Sequence, residues 1–151
     1  MLPVVEYSVI VPVSVDEAFR TFQNLDRLLN RGIYEQAIWV EGAPWRVGSR
    51  IRYEVVHPHR ATISAVVTAI SPPRSVDLIN HALGVAGQQH VSFGPDLKGG
   101  TRIRVTATMA GKSEDLPEAE ILKLVTFLLR DALDSVLVFS TRHRAGASPG
   151  S

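Results

Sequence analysis

Residues 115–144 read DLPEAEILKLVTFLLRDALDSVLVFSTRHR and form the longest stretch of the chain with apolar residues at helical spacing. These residues recur every three or four positions, which places them on one face of an α-helix: Ile121, Val125, Leu128, Ala132, Val136 and Phe139. Asp115 is the predicted N-cap, with Glu118 three residues later as in a capping box. The pattern predicts a helix over residues 116–143. At 1.5 Å per residue it would be roughly 40 Å long, so it needs a broad surface to pack on.

The residues before this helix alternate between apolar and polar, as strands with one buried face do. Predicted strands cover residues 4–13, 36–41, 51–57, 61–70, 76–83, 89–93 and 101–109, and the glycines between 84 and 87 predict a turn. Ser14 begins a capping-box sequence that predicts a helix to Leu25, followed by a second helical turn over 26–29. A strand, a helical pair, a run of strands and a final long helix predict an α+β fold.

Composition limits the protein class. A chain of 151 residues is expected to form one domain, and its net charge of +1 argues against a nucleic-acid partner. No stretch is apolar enough to span a membrane, and residues 1–13 lack the features of a signal peptide, so we expect a cytoplasmic protein. The absence of cysteine excludes disulfides, thiolate metal sites and cysteine nucleophiles. The small, polar residues 145–151 predict a disordered tail.

Three short stretches, VGSRIR at 47–52, VTAISPPR at 67–74 and GTRIRV at 100–105, together with the order of elements, resemble the START/Bet v 1-like (SRPBCC) helix-grip superfamily. The closest likeness is to its polyketide cyclase/dehydrase-like branch, and it extends from about residue 4 to 144. The resemblance implies a curved antiparallel sheet wrapped around the C-terminal helix, with a short helical pair after the first strand. It also implies one ligand-binding domain over residues 1–144, with an apolar cavity between sheet and helix.

The expected partner is therefore a small, largely apolar molecule held in that cavity by a carrier or sensor. Strand parity places four polar residues on inward faces, and burial of an unpaired polar group costs about 1–3 kcal/mol. The predicted ligand-binding residues are these four, one tryptophan and two residues of the inner helix face: Tyr53, His57, Asn80, Gln89, Trp39, Leu128 and Ala132. A cyclase or dehydratase acting on an aromatic or lipid-like substrate is the alternative, and a chaperone-activator type of interaction protein is a third. A cyclase would need a positioned acid–base pair, which no sequence motif supplies.

Metal and cofactor motifs are weak. His57 and His59 flank Pro58, but proline disfavours a regular strand and no carboxylate completes a ligand set, so no metal is expected. No glycine-rich nucleotide-binding motif or serine nucleophile motif is present, and no cofactor is expected. The face of the last helix opposite the core is predicted to carry Lys123, Phe127, Arg130, Asp134, Leu137 and Thr141. Because Phe127 and Leu137 are apolar, the protein is expected to be a monomer or a weak homodimer.

Overall fold

The computed structural model describes residues 2–146, which form seven strands and three helices. In chain order these are β1 (Leu2–Val11), α1 (Val15–Gln23), α2 (Leu25–Leu28), β2 (Tyr34–Glu41), β3 (Arg50–Val55), β4 (Ala61–Ser71), β5 (Ser75–Ala82), β6 (Val85–Pro95), β7 (Thr101–Gly111) and α3 (Glu118–Gly146). The predicted α+β order is confirmed. Ser14 caps α1 as expected, because its hydroxyl accepts a hydrogen bond from the Glu17 backbone N–H at 3.2 Å.

The seven strands form one curved antiparallel sheet in the order β1-β7-β6-β5-β4-β3-β2. Strands β1 and β2 are its two edges, and Pro12 follows edge strand β1, where a missing backbone N–H is tolerated. The helical pair α1–α2 leads from one edge of the sheet to the other. The long helix α3 packs against the sheet and α1, so a core forms between them.

The inward residues of the sheet follow the predicted alternation. In β6, Val91 is fully buried whereas the neighbouring His90 is exposed. In β7 the predicted inward residues are all buried: Ile103, Val105, Ala107 and Met109. Leu133 and Val136 of α3 face them and are fully buried as well. Strand parity and helix periodicity together therefore predict the core.

Helix α3 begins later than predicted. The Ser113 hydroxyl accepts hydrogen bonds from the backbone N–H groups of Asp115 and Leu116, at 3.1 and 3.2 Å, and turns the chain there. Leu116 precedes Pro117, and the residue before a proline is sterically disfavoured in the helical conformation. The helix therefore starts at Glu118, and Asp115 is not its N-cap. It continues to Gly146, into the predicted tail, of which residues 147–151 lie outside the described residues.

The turn between β5 and β6 is tighter than predicted. Ala82 pairs with Val85, so the loop consists of Leu83 and Gly84 alone, and both have positive φ, 53° and 81°. This is the pattern of a type I′ hairpin turn, whose twist matches that of the flanking strands. Gly87 was predicted to lie in the turn, but it pairs with Asn80 in the sheet. The tight turn brings the Leu83 side chain to the end of the sheet.

The predicted outer face of α3 is wrong in part, because residues on one side of it contact edge strand β1 or the core. Asp134 accepts a hydrogen bond from the Tyr7 hydroxyl at 2.6 Å, and the Arg130 guanidinium lies 4.9 Å from the centre of the Tyr7 ring. Leu137 packs against the core, whereas Phe127 is 37% exposed. One side of this face therefore joins α3 to edge strand β1.

Candidate functional site

A cavity of about 190 Å³ lies between α3, the inner face of the sheet and the helical pair. Most of its wall is apolar, with contributions from every layer: Phe22, Leu25, Leu28, Leu29, Trp45, Ile63, Leu78, Leu83, Met109, Ile121, Leu124, Val125, Leu128, Leu129 and Ala132. Small residues such as Ala107 and Gly87 line the sheet side. An apolar space of this kind, partly open to solvent, suits a small and largely apolar ligand.

An aromatic cluster closes the cavity beside α1. Phe22 lies at its centre, with its ring 5.5 Å from the Phe93 ring and 5.6 Å from the Trp45 ring. The Trp45 indole N–H donates to the Gln23 backbone carbonyl at 2.8 Å, which satisfies its only polar group. Trp39 packs edge-on against Trp45, with ring centres 5.2 Å apart. Of this cluster, Phe22 and Trp45 line the cavity wall, and Trp39 and Phe93 pack behind them.

Two tyrosines provide a polar element in this wall. The rings of Tyr34, from β2, and Tyr53, from β3, have their centres 5.7 Å apart. Burial raises the pKa of both phenols above the usual range, and for Tyr34 the nearby Tyr53 and Asp131 contribute to the rise. Both hydroxyls are therefore protonated at neutral pH. Neither has a hydrogen-bond partner within the described residues, although both side chains line the cavity.

Asp131 of α3 supplies the one carboxyl group of the cavity wall among the described residues. Its Oδ1 atom accepts a hydrogen bond from the Asn30 side-chain amide at 3.2 Å. Burial raises the pKa of this carboxyl above its ordinary value of 3.8, the bond from Asn30 lowers it, and the neighbouring Asp134 raises it. Asp131 thus places an ionisable carboxyl group, partly shielded from water, at the edge of the apolar cavity.

A second polar pair lies on the sheet side of the cavity. Asn80 of β5 donates a hydrogen bond from its side-chain amide to the Gln89 side-chain carbonyl of β6 at 3.2 Å. Both residues line the cavity and lie on the predicted inward face. Because the two amides bond to each other, this pair is partly satisfied without a ligand.

Five of the seven predicted site residues lie in the cavity wall: Tyr53, Asn80, Gln89, Leu128 and Ala132. Trp39 is not part of the wall, although its ring packs against that of Trp45, which is. His57 is also outside the wall and is exposed, with its ring centre 5.9 Å from that of Phe127. Strand β3 ends at Val55, so the alternation that placed His57 inward no longer applies there. That the five wall residues bind a ligand stays a prediction.

Tyr34 and Asp131 were missed for different reasons. The pairing of β2 with β3 shifts by one residue between Tyr34 and Gln36. Such a bulge reverses the alternation, so parity could not place Tyr34 on the same face as Tyr53. Asp131 could have been found, because it follows Leu128 by three positions and therefore shares the inner face of α3.

The described residues contain no group of three His, Asp or Glu side chains placed to hold a metal ion. None of the helices in this part of the chain combines the length and the apolar character needed to cross a bilayer. His57 and His59 are both exposed in the turn after β3. The polar groups that line the cavity are thus two phenols, one carboxyl group, the three side-chain amides of Asn80, Gln88 and Gln89, and the Ser135 hydroxyl.

The sequence matches no protein-family model and no curated protein. Solved structures do match. The crystal structure of Ara h 8.0201, a Bet v 1 homologue, has a TM-score of 0.74 at 14% identity and covers 93% of this chain and 98% of its own. A START superfamily protein from Mycobacterium smegmatis has a TM-score of 0.72 at 14% identity, with coverage of 92% and 97%. The chain has the START/Bet v 1-like fold.

A conserved protein from Geobacillus kaustophilus is also similar, with a TM-score of 0.72 at 12% identity and coverage of 91% and 94%. The predicted helix-grip architecture is therefore confirmed. Identities this low show the fold alone, and the fold supports many functions. In this helix-grip domain the cavity lies where the sheet curves around α3.

Proposed function

We propose that this protein binds a small, largely apolar molecule in the cavity between α3 and the sheet, as a carrier or sensor. The observation that carries the proposal is the cavity itself. Its wall is mostly apolar, and a ligand that covers apolar wall surface removes it from water, which is favourable by about 25 cal/mol per Å². Apolar burial would therefore supply most of the binding free energy.

The size of the cavity limits the ligand. An apolar cavity of about 150 Å³ holds benzene, and the cavity here has about 190 Å³. A compact molecule of one or two rings therefore fits better than a long acyl chain. Proteins of the Bet v 1/START fold bind ligands, which agrees with this use of the cavity.

A cyclase or dehydratase activity is the second candidate, and one observation favours it. Asp131 lies close enough to Tyr34 to raise the pKa of its phenol, so a carboxyl and a phenol face the same cavity. Such a pair could act as base and acid on a bound carbonyl compound. The third candidate, a chaperone-activator type of interaction protein, needs no internal space, and the cavity argues against it.

Native mass spectrometry of the protein purified from its own source tests the proposal by detecting a co-purified small molecule. Calorimetric titration with naphthalene tests the cavity directly. We expect Ala132→Trp, which fills the cavity, to abolish naphthalene binding, and Ala132→Leu to weaken it. Ala110→Trp on the exposed outer face of β7 is the matched control and should bind like wild type. Unchanged binding to a folded Ala132→Trp variant would show that the ligand lies elsewhere.

A further inference from the structure

The charge distribution of the cavity wall restricts the ligand. Among the described residues no Lys, Arg or His side chain lines the cavity, and Asp131 is the one wall residue that can carry a charge at neutral pH. Arg130, its neighbour in the chain, is directed at the Tyr7 ring outside the cavity. A carboxylate ligand would therefore be desolvated close to a carboxyl group with no cation to pair with, which is strongly unfavourable.

The hydrogen-bonding capacity of the wall is unequally used. Asn80 and Gln89 bond to each other. The Tyr34 and Tyr53 hydroxyls have no partner in the described part of the chain, and Asp131 uses only its Oδ1 atom, for Asn30. Two phenol donors and one carboxyl oxygen are thus left for a ligand in one region of the wall, where the Tyr34 and Tyr53 rings are in contact and Asp131 lies near Tyr34. Gln88 and Ser135 also line the cavity. Each of these polar groups would add a desolvation cost if a ligand without polar groups covered it.

We propose that Tyr34, Tyr53 and Asp131 form a polar subsite that selects a neutral ligand carrying a hydroxyl group, a phenol or an alcohol, over one carrying a carboxylate. The proposal rests on the proposed ligand-binding function and specifies its ligand class. A hydroxyl group has one donor and two acceptor lone pairs. It can donate to the free Asp131 oxygen and accept from both tyrosine hydroxyls, so every group of the subsite is satisfied.

An ammonium group matches this subsite less well. It has three donors and no acceptor, so the hydroxyl protons of Tyr34 and Tyr53 would find no acceptor on the ligand. Partial burial also favours the protonated form of Asp131, which weakens its attraction for a cation. A neutral hydroxyl tolerates either protonation state of the carboxyl. An ammonium ligand is therefore an alternative to the hydroxyl ligand, and binding measurements can distinguish the two.

The test compares four two-ring probes that differ in one substituent: naphthalene, 2-naphthol, 2-naphthoate and protonated 2-naphthylmethylamine, titrated calorimetrically at pH 7.5. We expect 2-naphthol to bind roughly tenfold more tightly than naphthalene, which corresponds to one or two net hydrogen bonds. We expect 2-naphthoate to bind more weakly than naphthalene. Tyr34→Phe and Asp131→Asn should each remove most of the advantage of 2-naphthol over naphthalene. Naphthalene itself should bind at least as tightly as to wild type, because it would no longer desolvate that hydroxyl or that charge.

The matched controls are Tyr7→Phe and Asp115→Asn, which change the same residue types outside the cavity wall and should keep the wild-type order of affinities. If Tyr34→Phe fails to fold, the subsite is tested by Tyr53→Phe, which should also reduce the advantage of 2-naphthol, and by the four probes on wild type. Naphthalene binding without a gain for 2-naphthol, or stronger binding of 2-naphthoate or the amine, overturns the subsite alone. If no probe binds, the ligand-binding proposal fails, and the subsite with it.

Discussion

Tyr7 and Tyr53 carry the same phenol group in opposite surroundings. The Tyr7 hydroxyl donates to Asp134 at 2.6 Å, and this bond is the main reason that the pKa of its phenol is raised. The Tyr53 hydroxyl faces the cavity without a partner in the described residues, and burial alone raises its pKa. One hydroxyl therefore contributes to stability, whereas the other is available to a ligand.

Removing each hydroxyl should separate these roles. We expect Tyr7→Phe to lower the free energy of unfolding by about 1 kcal/mol, because a hydrogen bond is lost. We expect Tyr53→Phe to leave it unchanged within about 0.5 kcal/mol, because no hydrogen bond within the described residues is lost. Urea unfolding of both variants at pH 7 measures the difference. Equal losses in the two would mean that the Tyr53 hydroxyl has a partner inside the protein.

The raised pKa of Asp131 predicts how the stability of the folded protein depends on pH. Because its pKa is raised in the folded state, folding favours its protonated form, and the ionised form lowers stability above the folded-state pKa. This loss disappears as the pH falls through the folded-state pKa toward the unfolded-state value near 3.8. Asp131→Asn keeps an acceptor for Asn30 and cannot ionise.

We therefore expect Asp131→Asn to melt at a higher temperature than wild type at pH 7 and at the same temperature near pH 3. Thermal unfolding across this range measures the effect, with the low-pH comparison as the internal control. A variant less stable than wild type at pH 7 would mean that the Asn30 bond outweighs the burial of the charge. A stability gain at pH 7 together with weaker binding of 2-naphthol would show that Asp131 serves the ligand at the expense of stability.

At the scale of elements, the β5–β6 hairpin combines local strain with a place in the cavity wall. Leu83 has a φ of 53°, in the left-handed region that costs a residue with a Cβ about 1–2 kcal/mol. Its side chain is half-buried and lines the cavity. Asparagine is the usual residue for this turn position, because it tolerates positive φ. The leucine thus gives the cavity apolar surface where asparagine would give a better turn.

Two substitutions at this position distinguish the effect of Leu83 on the stability of the turn from its contribution to the cavity wall. Leu83→Ala and Leu83→Asn both remove apolar surface, so we expect both to weaken naphthalene binding. At half-buried sites, alanine is ordinarily a less destabilising replacement for leucine than asparagine is. Here we expect the Leu83→Asn variant to be more stable than the Leu83→Ala variant by about 1 kcal/mol, because asparagine tolerates the positive φ of this position. Urea unfolding and calorimetry measure the two effects. If Leu83→Ala is the more stable variant, the strain is not significant.

At the scale of the whole molecule, the exposed apolar residues of α3 bear on self-association. Phe127 is 37% exposed and Val138 is 47% exposed. They are 11 positions apart, or roughly 16 Å along the helix. Leu137, which was predicted to join Phe127 in a contact surface, packs against the core instead. Single exposed apolar residues are normal on monomers and do not make an interface.

We therefore expect a monomer, with Phe127→Glu indistinguishable from wild type in sedimentation equilibrium at high protein concentration. The exposed Thr141, on the same helix, provides a control variant, Thr141→Glu, of equal added charge. A wild-type dimer that Phe127→Glu alone dissociates would restore the predicted interface.

The sequence by itself determined the α+β class, the order of the elements, the inward faces of β5, β6 and β7, and the inner face of α3. These follow from periods of about 2 and 3.6 residues, which are properties of the local chain. Of the five predicted site residues that line the cavity, four lie within such regular stretches of β5, β6 and α3, and Tyr53 lies within the regular part of β3.

Only the tertiary structure decided which inward side chains meet. Tyr34, Tyr53 and Asp131 come from β2, β3 and α3, and no spacing in the chain relates them. Their positions follow from the bulge in β2 and from the packing of α3 against the sheet. His57 shows the converse, since its parity predicted a cavity residue and the end of β3 left it outside. Periodicity describes one element at a time, whereas a binding site is set by how the elements pack together.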